Sequence, residues 1–306
     1  LEVEMFEFLI SFSVTFFAIP VCIRIARRFE IVDRPDGVLK PHTESIPYLA
    51  GVAIYLGLFP FIKDVVTVIV LASLCLIGLI DDIRRISPFV RLVAEFTCAV
   101  IFSLQISASF GERVLWVFMF TLMINGVNMI DGMDGICAAV IAAASVFFIF
   151  NGSSGLAVAI LGACLSYLVY NFPPARVFMG DSGSYLLGGA VMYIIAYTRG
   201  SSGFVQSFSP FSLIILDLSS GVIRRILAGQ SPLLGDRDHL YDKIFRAMRG
   251  KKITRSRKTV LVMVMLTLVS GFLGRITQPW NILSLSVLSV LLIAKLKLFY
   301  QQRGGK

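Results

Sequence analysis

The chain has 306 residues, of which 57% are hydrophobic and only 15% charged, and its mean hydropathy is +0.83. Soluble domains carry about 25% charged residues, and one soluble core cannot hold this much apolar side chain without exposing it, so most soluble enzyme folds and any large extramembrane domain are excluded. A net charge of +9 admits a nucleic-acid surface or the anionic face of a membrane, and the positions of the charges decide which.

Charge-free stretches locate the predicted spans in chain order. The first apolar run covers about residues 6–25, with Glu2 and Glu4 before it and Glu7 at its start. Acidic rather than basic residues precede it, so it is expected to be an uncleaved first span and not a secretory signal. Apolar runs over 47–62, 65–80 and 92–110 follow. Seventeen residues separate Arg113 from Asp131, and the gap of 41 between Asp134 and Arg176 is broken by NGSSG at 151–155, a tight turn between two helices. Seventeen residues again separate Asp181 from Arg199 and Arg199 from Asp217, and one span is expected near 211–218. Lys258 to Arg275 leaves sixteen and Arg275 to Lys295 nineteen. The expected fold is therefore all-α, a polytopic helical bundle of about eleven transmembrane helices. It forms a single membrane-embedded domain over 1–306.

Sorting the basic residues by side orients this bundle. With the N-terminus outside, the outer connections hold Lys63, Arg113, Arg199 and Arg275, and the inner loops with the C-terminus hold the other 24 of the 28. Eleven of those lie from Arg224 to Lys258, and the run from Arg246 to Lys258 is expected to lie against anionic lipid. The positive charge thus belongs to a cytoplasmic membrane face, and nucleic acid is not an expected partner. Cys22, Cys75, Cys98, Cys137 and Cys164 lie in apolar segments without CxxC spacing and are expected as small core residues. Glu95 follows Arg91 by four positions, the spacing of a helical ion pair.

Carboxylates gather on the same face. Asp81 and Asp82 close the third span in GLIDD; Asn125, Asn128, Asp131 and Asp134 sit between the fifth and sixth; Asp181 lies in VFMGDSGS; and Asp236, Arg237, Asp238 and His239 occupy the longest inner loop. Any one of these acids reads equally as a helix cap or as a partner for Arg84, Arg85 or Arg176. Charge at the ends of apolar helices is costly and tends to be functional, and four such groups near basic residues have the composition of a magnesium–diphosphate site. Gly180, Ser182 and Gly183 are expected to let a phosphate approach a helix start, and Gly132 and Gly135 to admit a flat ligand.

The sequence resembles the polyprenyl-phosphate N-acetylhexosamine-1-phosphate transferases, the superfamily that includes phospho-N-acetylmuramoyl-pentapeptide transferase. The matching segments are VDRPDG at 32–37 with KPH at 40–42, GLIDD at 78–82, NGVNMIDGMDG at 125–135, NFPPA at 171–175 leading into VFMGDSGS at 177–184, and Ser231-Pro232 leading to DRDH at 236–239. The resemblance implies transfer of a sugar-1-phosphate from a UDP-sugar to undecaprenyl phosphate, with Mg²⁺ (or Mn²⁺ in its place) and release of UMP, as the first membrane step of cell-envelope glycan or O-antigen synthesis. It implies Asp181 as the metal ligand; Asp81, Asp82 and His239 as catalytic residues; and Lys40, Asn125, Asn128, Asp131, Asp134, Asn171, Phe178 and Arg237 as substrate-binding, with Asn171 and Phe178 at the uridine. The active-site loops are then about 26–46, 81–91, 125–135, 171–184 and 219–259, at the cytoplasmic face of the inner membrane, and a homodimer is implied.

The inner-loop histidine motif departs from the family: relatives acting on N-acetylglucosamine carry His-x-His-His, whereas here His239 is followed by Leu240, Tyr241 and Asp242. UDP-N-acetylglucosamine is the expected donor, with other UDP-N-acetylhexosamines as the alternative. A transporter is the rival from another class, since membrane carboxylates also carry ions, but these cluster at one face and no inverted repeat is visible. A CDP-alcohol enzyme is disfavoured because Asp134-Gly135 is not followed by that class's Ala-Arg pair.

Overall fold

The computed structural model describes residues 2–34, 45–106, 108–149, 155–231, 238–276 and 280–297, with backbone alone for 199–202. Helix α1 (Glu2–Arg28) is followed by a two-residue antiparallel pair, β1 (Val32–Asp33) against β2 (Ile46–Pro47), with Val32 opposite Pro47. Helix α2 (Ala50–Leu58) continues into a 3₁₀ turn at Phe59–Phe61, and α3 (Val65–Arg84), α4 (Pro88–Leu104), α5 (Phe110–Ile130), α6 (Ile136–Ile149) and α7 (Gly155–Asn171) follow. Then come α8 (Gly180–Ser202), a short α9 (Phe204–Phe208), a 3₁₀ turn at Ser209–Phe211, α10 (Ser212–Leu227), α11 (Leu240–Ala247), α12 (Lys252–Leu273) and α13 (Trp280–Leu296).

Local chemistry sets several helix starts. Asp64 accepts the Thr67 N–H at 2.8 Å before α3, and Ser87 caps α4 with Pro88 in the first turn, where its missing N–H costs nothing. Ser109 and Glu112 form a capping box on α5, with the Ser109 N–H donating to Glu112 Oε2 at 2.7 Å.

Among the described residues four helices, α1, α3, α5 and α12, are long and apolar enough to cross a membrane, and α2 with its 3₁₀ turn, α6, α7 and α13 are shorter apolar helices. Their outward faces carry Phe6, Phe17, Ile69, Leu76 and Phe272 in the open, an apolar exterior suited to lipid. Helix α6 is apolar all round and buried along most of its length, so it lies inside the bundle. Helix α8 packs on α3 and α5, and α1 on α7 and α2. Small residues permit these approaches: a Cβ on Gly78 of α3 would sit 2.3 Å from the Asp181 carbonyl, and one on Gly188 2.7 Å from the Ile124 Cα. All five cysteines are buried and free.

Helix α8 runs through Arg199 to Ser202, and α10 starts at Ser212, beside the start expected for the span near 211–218, but continues to Leu227 and carries Asp217 well inside it. Asp217 is only 1% exposed, and its Oδ1 accepts the Leu240 N–H at 2.8 Å. A carboxylate with buried partners does not mark a membrane edge, which is why counting charge-free gaps fails here.

Candidate active site

The C-terminal ends of α3, α5 and α7 meet the N-terminal ends of α8 and α11 at one end of the bundle, around a cavity of about 2180 Å³. Single small-molecule sites occupy roughly 300–1,000 Å³, so this one has room for two substrates. Ten predicted site residues line it: Asp81, Asp82, Asn125, Asn128, Asp131, Asp134, Asn171, Phe178, Asp181 and His239. Lys40 and Arg237, with His42 and Asp236, lie outside the described residues.

The two aspartates of GLIDD differ in what they touch. Asp81 accepts the Ile86 N–H through Oδ1 at 2.9 Å and the buried Tyr185 hydroxyl through Oδ2 at 3.1 Å. Asp82 reaches across to α8, where Oδ1 accepts the Asp181 N–H at 2.9 Å and Oδ2 the Ser182 N–H at 3.2 Å. It therefore caps that helix from a neighbouring one. The Asp181 and Ser182 N–H groups of this helix start thus meet a carboxylate of the chain itself. Gly180 has φ +69° and a Cβ there would lie 2.3 Å from Asp82 Oδ2, so glycine is required by the cap itself. Asp82→Ala is expected to lower stability by about 1–2 kcal/mol, the scale of a lost N-cap. Thermal unfolding in detergent measures this, and Asp82→Asn, with one oxygen instead of two, falls between.

The acidic turn after α5 is tied down by backbone contacts. Asp134 Oδ2 accepts the Ala175 N–H at 2.9 Å. Asn171, 3% exposed, accepts the Gly135 N–H at 2.7 Å and donates to the Val177 carbonyl at 2.8 Å. Its amide thus locks the 134–135 turn to the segment that carries Phe178. Phe178 is also pinned through its backbone, its N–H donating to the Pro47 carbonyl at 2.9 Å. Gly132 makes room for the chain rather than for a ligand, since a Cβ there would lie 1.9 Å from the Tyr241 hydroxyl. Asn128 accepts the Ser184 hydroxyl at 2.9 Å, and Asn125 donates to Glu95 Oε2 at 2.5 Å.

Several residues that the motifs do not mark belong to the site. Arg91 lines the cavity, 3.6 Å from both Asp81 Oδ2 and Glu95 Oε1. The helical pair expected of Arg91 and Glu95 is therefore present, but Glu95 is fully buried and joins the pair to Asn125. The signal available in sequence was a lone glutamate inside an apolar run. Tyr48 donates to Asp33 Oδ1 at 2.8 Å; burial, then that carboxylate, raise its phenol well above the ordinary value, so it stays a donor. Arg225, near the end of α10, also lines the cavity.

Negative charge is concentrated here. Burial first, and then the neighbouring Asp181, Asp82 and Asp134 carboxylates, push Asp131 well above the usual carboxylate range. Asp181 lies against Asp81 and feels Arg91 as its cationic neighbour. Among the described residues no three His, Cys, Asp or Glu side chains close into a ready-made metal cage. Magnesium takes one or two carboxylates and completes its shell with water and substrate phosphate, so the hard oxygens of Asp181 and Asp81, in surroundings that repel further negative charge, fit that ion.

A family model described as glycosyl transferase family 4 matches residues 65–199. A Thermotoga maritima protein named undecaprenyl-phosphate alpha-N-acetylglucosaminyl 1-phosphate transferase is 31% identical over 277 residues, 88% of each chain. The Escherichia coli K12 protein of the same name is 29% identical over 265 residues, 73% of this chain and 71% of its own. A Mycolicibacterium smegmatis decaprenyl-phosphate N-acetylglucosaminephosphotransferase is 27% identical over 302 residues, 76% of this chain and 73% of its own.

Proposed function

The chain belongs to the polyprenyl-phosphate N-acetylhexosamine-1-phosphate transferase family, and from that premise we propose that it transfers N-acetylglucosamine-1-phosphate from UDP-N-acetylglucosamine to undecaprenyl phosphate at the cytoplasmic face of the inner membrane. The observation that carries this reading is the convergence of five separate motifs on one cavity at one end of the bundle. The orientation rests on the 24 basic residues assigned to that side. Among the described residues, four helices long and apolar enough to cross a membrane and four shorter apolar ones support a multi-span bundle.

The lipid phosphate is the nucleophile. Its second pKa is about 6, so near neutral pH it is already largely ionised and needs orientation more than deprotonation. One of its oxygens bonds to the sugar-bearing phosphorus of the diphosphate, and the bridging P–O bond breaks with its electron pair leaving on UMP. The products are the lipid diphosphosugar and UMP. Asp81, held by Tyr185 and the Ile86 N–H, is assigned to orient the acceptor and take any remaining proton, and Arg91 beside it is assigned to balance phosphate charge. Phosphoryl transfer depends mainly on such positioning and neutralisation. Lys40 and Arg237 are assigned to the phosphates, Phe178 to stacking on uracil, and Asn128, Asp131, Asp134 and His239 to the nucleotide sugar. Asp181 would hold Mg²⁺, which when bound supplies charge neutralisation to the diphosphate.

The donor sugar follows the printed names of the relatives. A different UDP-N-acetylhexosamine is the second reading, favoured by the single histidine of the 239–242 segment. Purified protein with undecaprenyl phosphate, Mg²⁺ and a panel of UDP-sugars is expected to release UMP with UDP-N-acetylglucosamine. Release with another hexosamine alone selects the second reading, and no release with any UDP-N-acetylhexosamine overturns both.

A further inference from the structure

Tyr185 stands on α8 one residue beyond the VFMGDSGS string and is fully buried. A phenol hydroxyl there is costly unless it meets an acceptor, and phenylalanine would pack nearly the same volume without that cost. The acceptor is Asp81 Oδ2, at 3.1 Å. Asp181 precedes Tyr185 by four positions, so the two share one face of α8. That face turns to Asp81: Asp181 brings a like charge against it, and Tyr185 a donor. Asp81 Oδ1 accepts the Ile86 N–H at 2.9 Å, so each oxygen of the carboxylate is held. Arg91 Nη1 stands 3.6 Å from the same Oδ2, too far for a hydrogen bond. Its guanidinium carbon is 6.0 Å from the Tyr185 ring centroid, the outer range of a cation–π contact. Tyr185 thus meets the anion with its hydroxyl and the cation with its ring.

We propose that Tyr185 is a positioning residue for the acceptor half of the site, holding Asp81 short of Arg91 so that the guanidinium keeps donors for the lipid phosphate. Freed at Oδ2, the carboxylate would close onto the cation 3.6 Å away. A closed Arg–carboxylate pair uses the same planar fork of donors that recognises a phosphate, so it competes with the incoming substrate. The Tyr185 bond opposes that closure, because a hydrogen bond to an ionised acceptor is about twice as strong as a neutral one. The inference rests on the roles proposed for Asp81 and Arg91 at the lipid phosphate; the contacts of Tyr185 do not.

Tyr185→Phe keeps the ring and removes only the hydroxyl. In the UMP-release assay on full-length protein in detergent, its kcat/KM for undecaprenyl phosphate is expected to fall roughly 10- to 100-fold, the scale of one hydrogen bond to a charged group. KM for the UDP-sugar should stay that of the wild type, because the contacts at Asn171 and Phe178 are untouched. A variant that merely loosens the bundle loses both substrates together, and that pattern overturns the proposal, as does full activity in a folded Tyr185→Phe. Tyr185→p-aminophenylalanine restores a donor on the same ring and is expected to keep kcat/KM for the lipid phosphate near the wild-type value. A selective loss there despite the donor overturns the proposal, and this comparison decides the matter where Tyr185→Phe does not fold. A wild type that releases no UMP defeats the proposed function and this inference with it; an active wild type with an unaffected Tyr185→Phe defeats the inference alone.

Discussion

Asp181→Asn is expected to reduce UMP release by at least about 100-fold while leaving the protein as stable as the wild type, or slightly more so. What the chain uses to hold the start of α8 is the backbone of this residue, not its side chain: the Asp181 N–H donates to Asp82 at 2.9 Å, and that bond survives the substitution. The carboxylate itself faces Asp81 and Asp82, with Arg91 as the nearby cation. An amide of the same shape removes one negative charge from a repelling group, which relieves the fold. It also removes the charged oxygens proposed to hold the cation, which weakens neutralisation of the diphosphate. UMP release at increasing Mg²⁺, paired with thermal unfolding in detergent, separates the two effects. Full activity in a folded variant would remove Asp181 from the metal site, and a large drop in melting temperature would make it a structural residue.

The second large effect is expected of Glu95→Ala. Glu95 is fully buried, accepts from Asn125 at 2.5 Å and lies 3.6 Å from the Arg91 guanidinium. Its removal leaves the Asn125 amide without that acceptor, Arg91 without one of its two carboxylates, and a void. Breaking a fully buried pair costs about 3–5 kcal/mol; Arg91 keeps Asp81 and some contact with water, so about 2–3 kcal/mol is expected. Activity should fall with it, because Arg91 carries the effect to Asp81. Glu95→Gln keeps an oxygen for Asn125 and is expected to recover most of the stability but not the activity, since the charge on Arg91 is no longer shared. An Ala variant that melts with the wild type would show that the Arg91–Asp81 contact stands by itself.

The aspartate-rich motifs were legible because carboxylates and amides at the ends of apolar helices are too costly to be incidental. Their use was less so. The glycines at 132 and 180 read as places where a ligand meets backbone, yet the groups that approach are Tyr241 and Asp82; Asn171 ties Gly135 to Val177 while still lining the cavity. A glycine or an amide announces that something comes close; only the packing says what. Glu95 looked like half of a helical ion pair, and its second partner lies 30 positions away on another helix.

The sequence by itself determined the membrane character of the chain, the segments that carry chemistry and the resemblance to one transferase family. All three rest on composition, on charge periodicity over one helix length or on short contiguous strings. Tertiary structure alone decided which of those polar groups brace the site and which face its cavity, because that depends on contacts between helices far apart in the chain. Asp82 is joined to Asp181 across 99 positions, and Asp217 to Leu240 across 23. Burial made the same distinction for α10: a carboxylate that reads as the end of a span becomes, once paired, an interior residue of the helix.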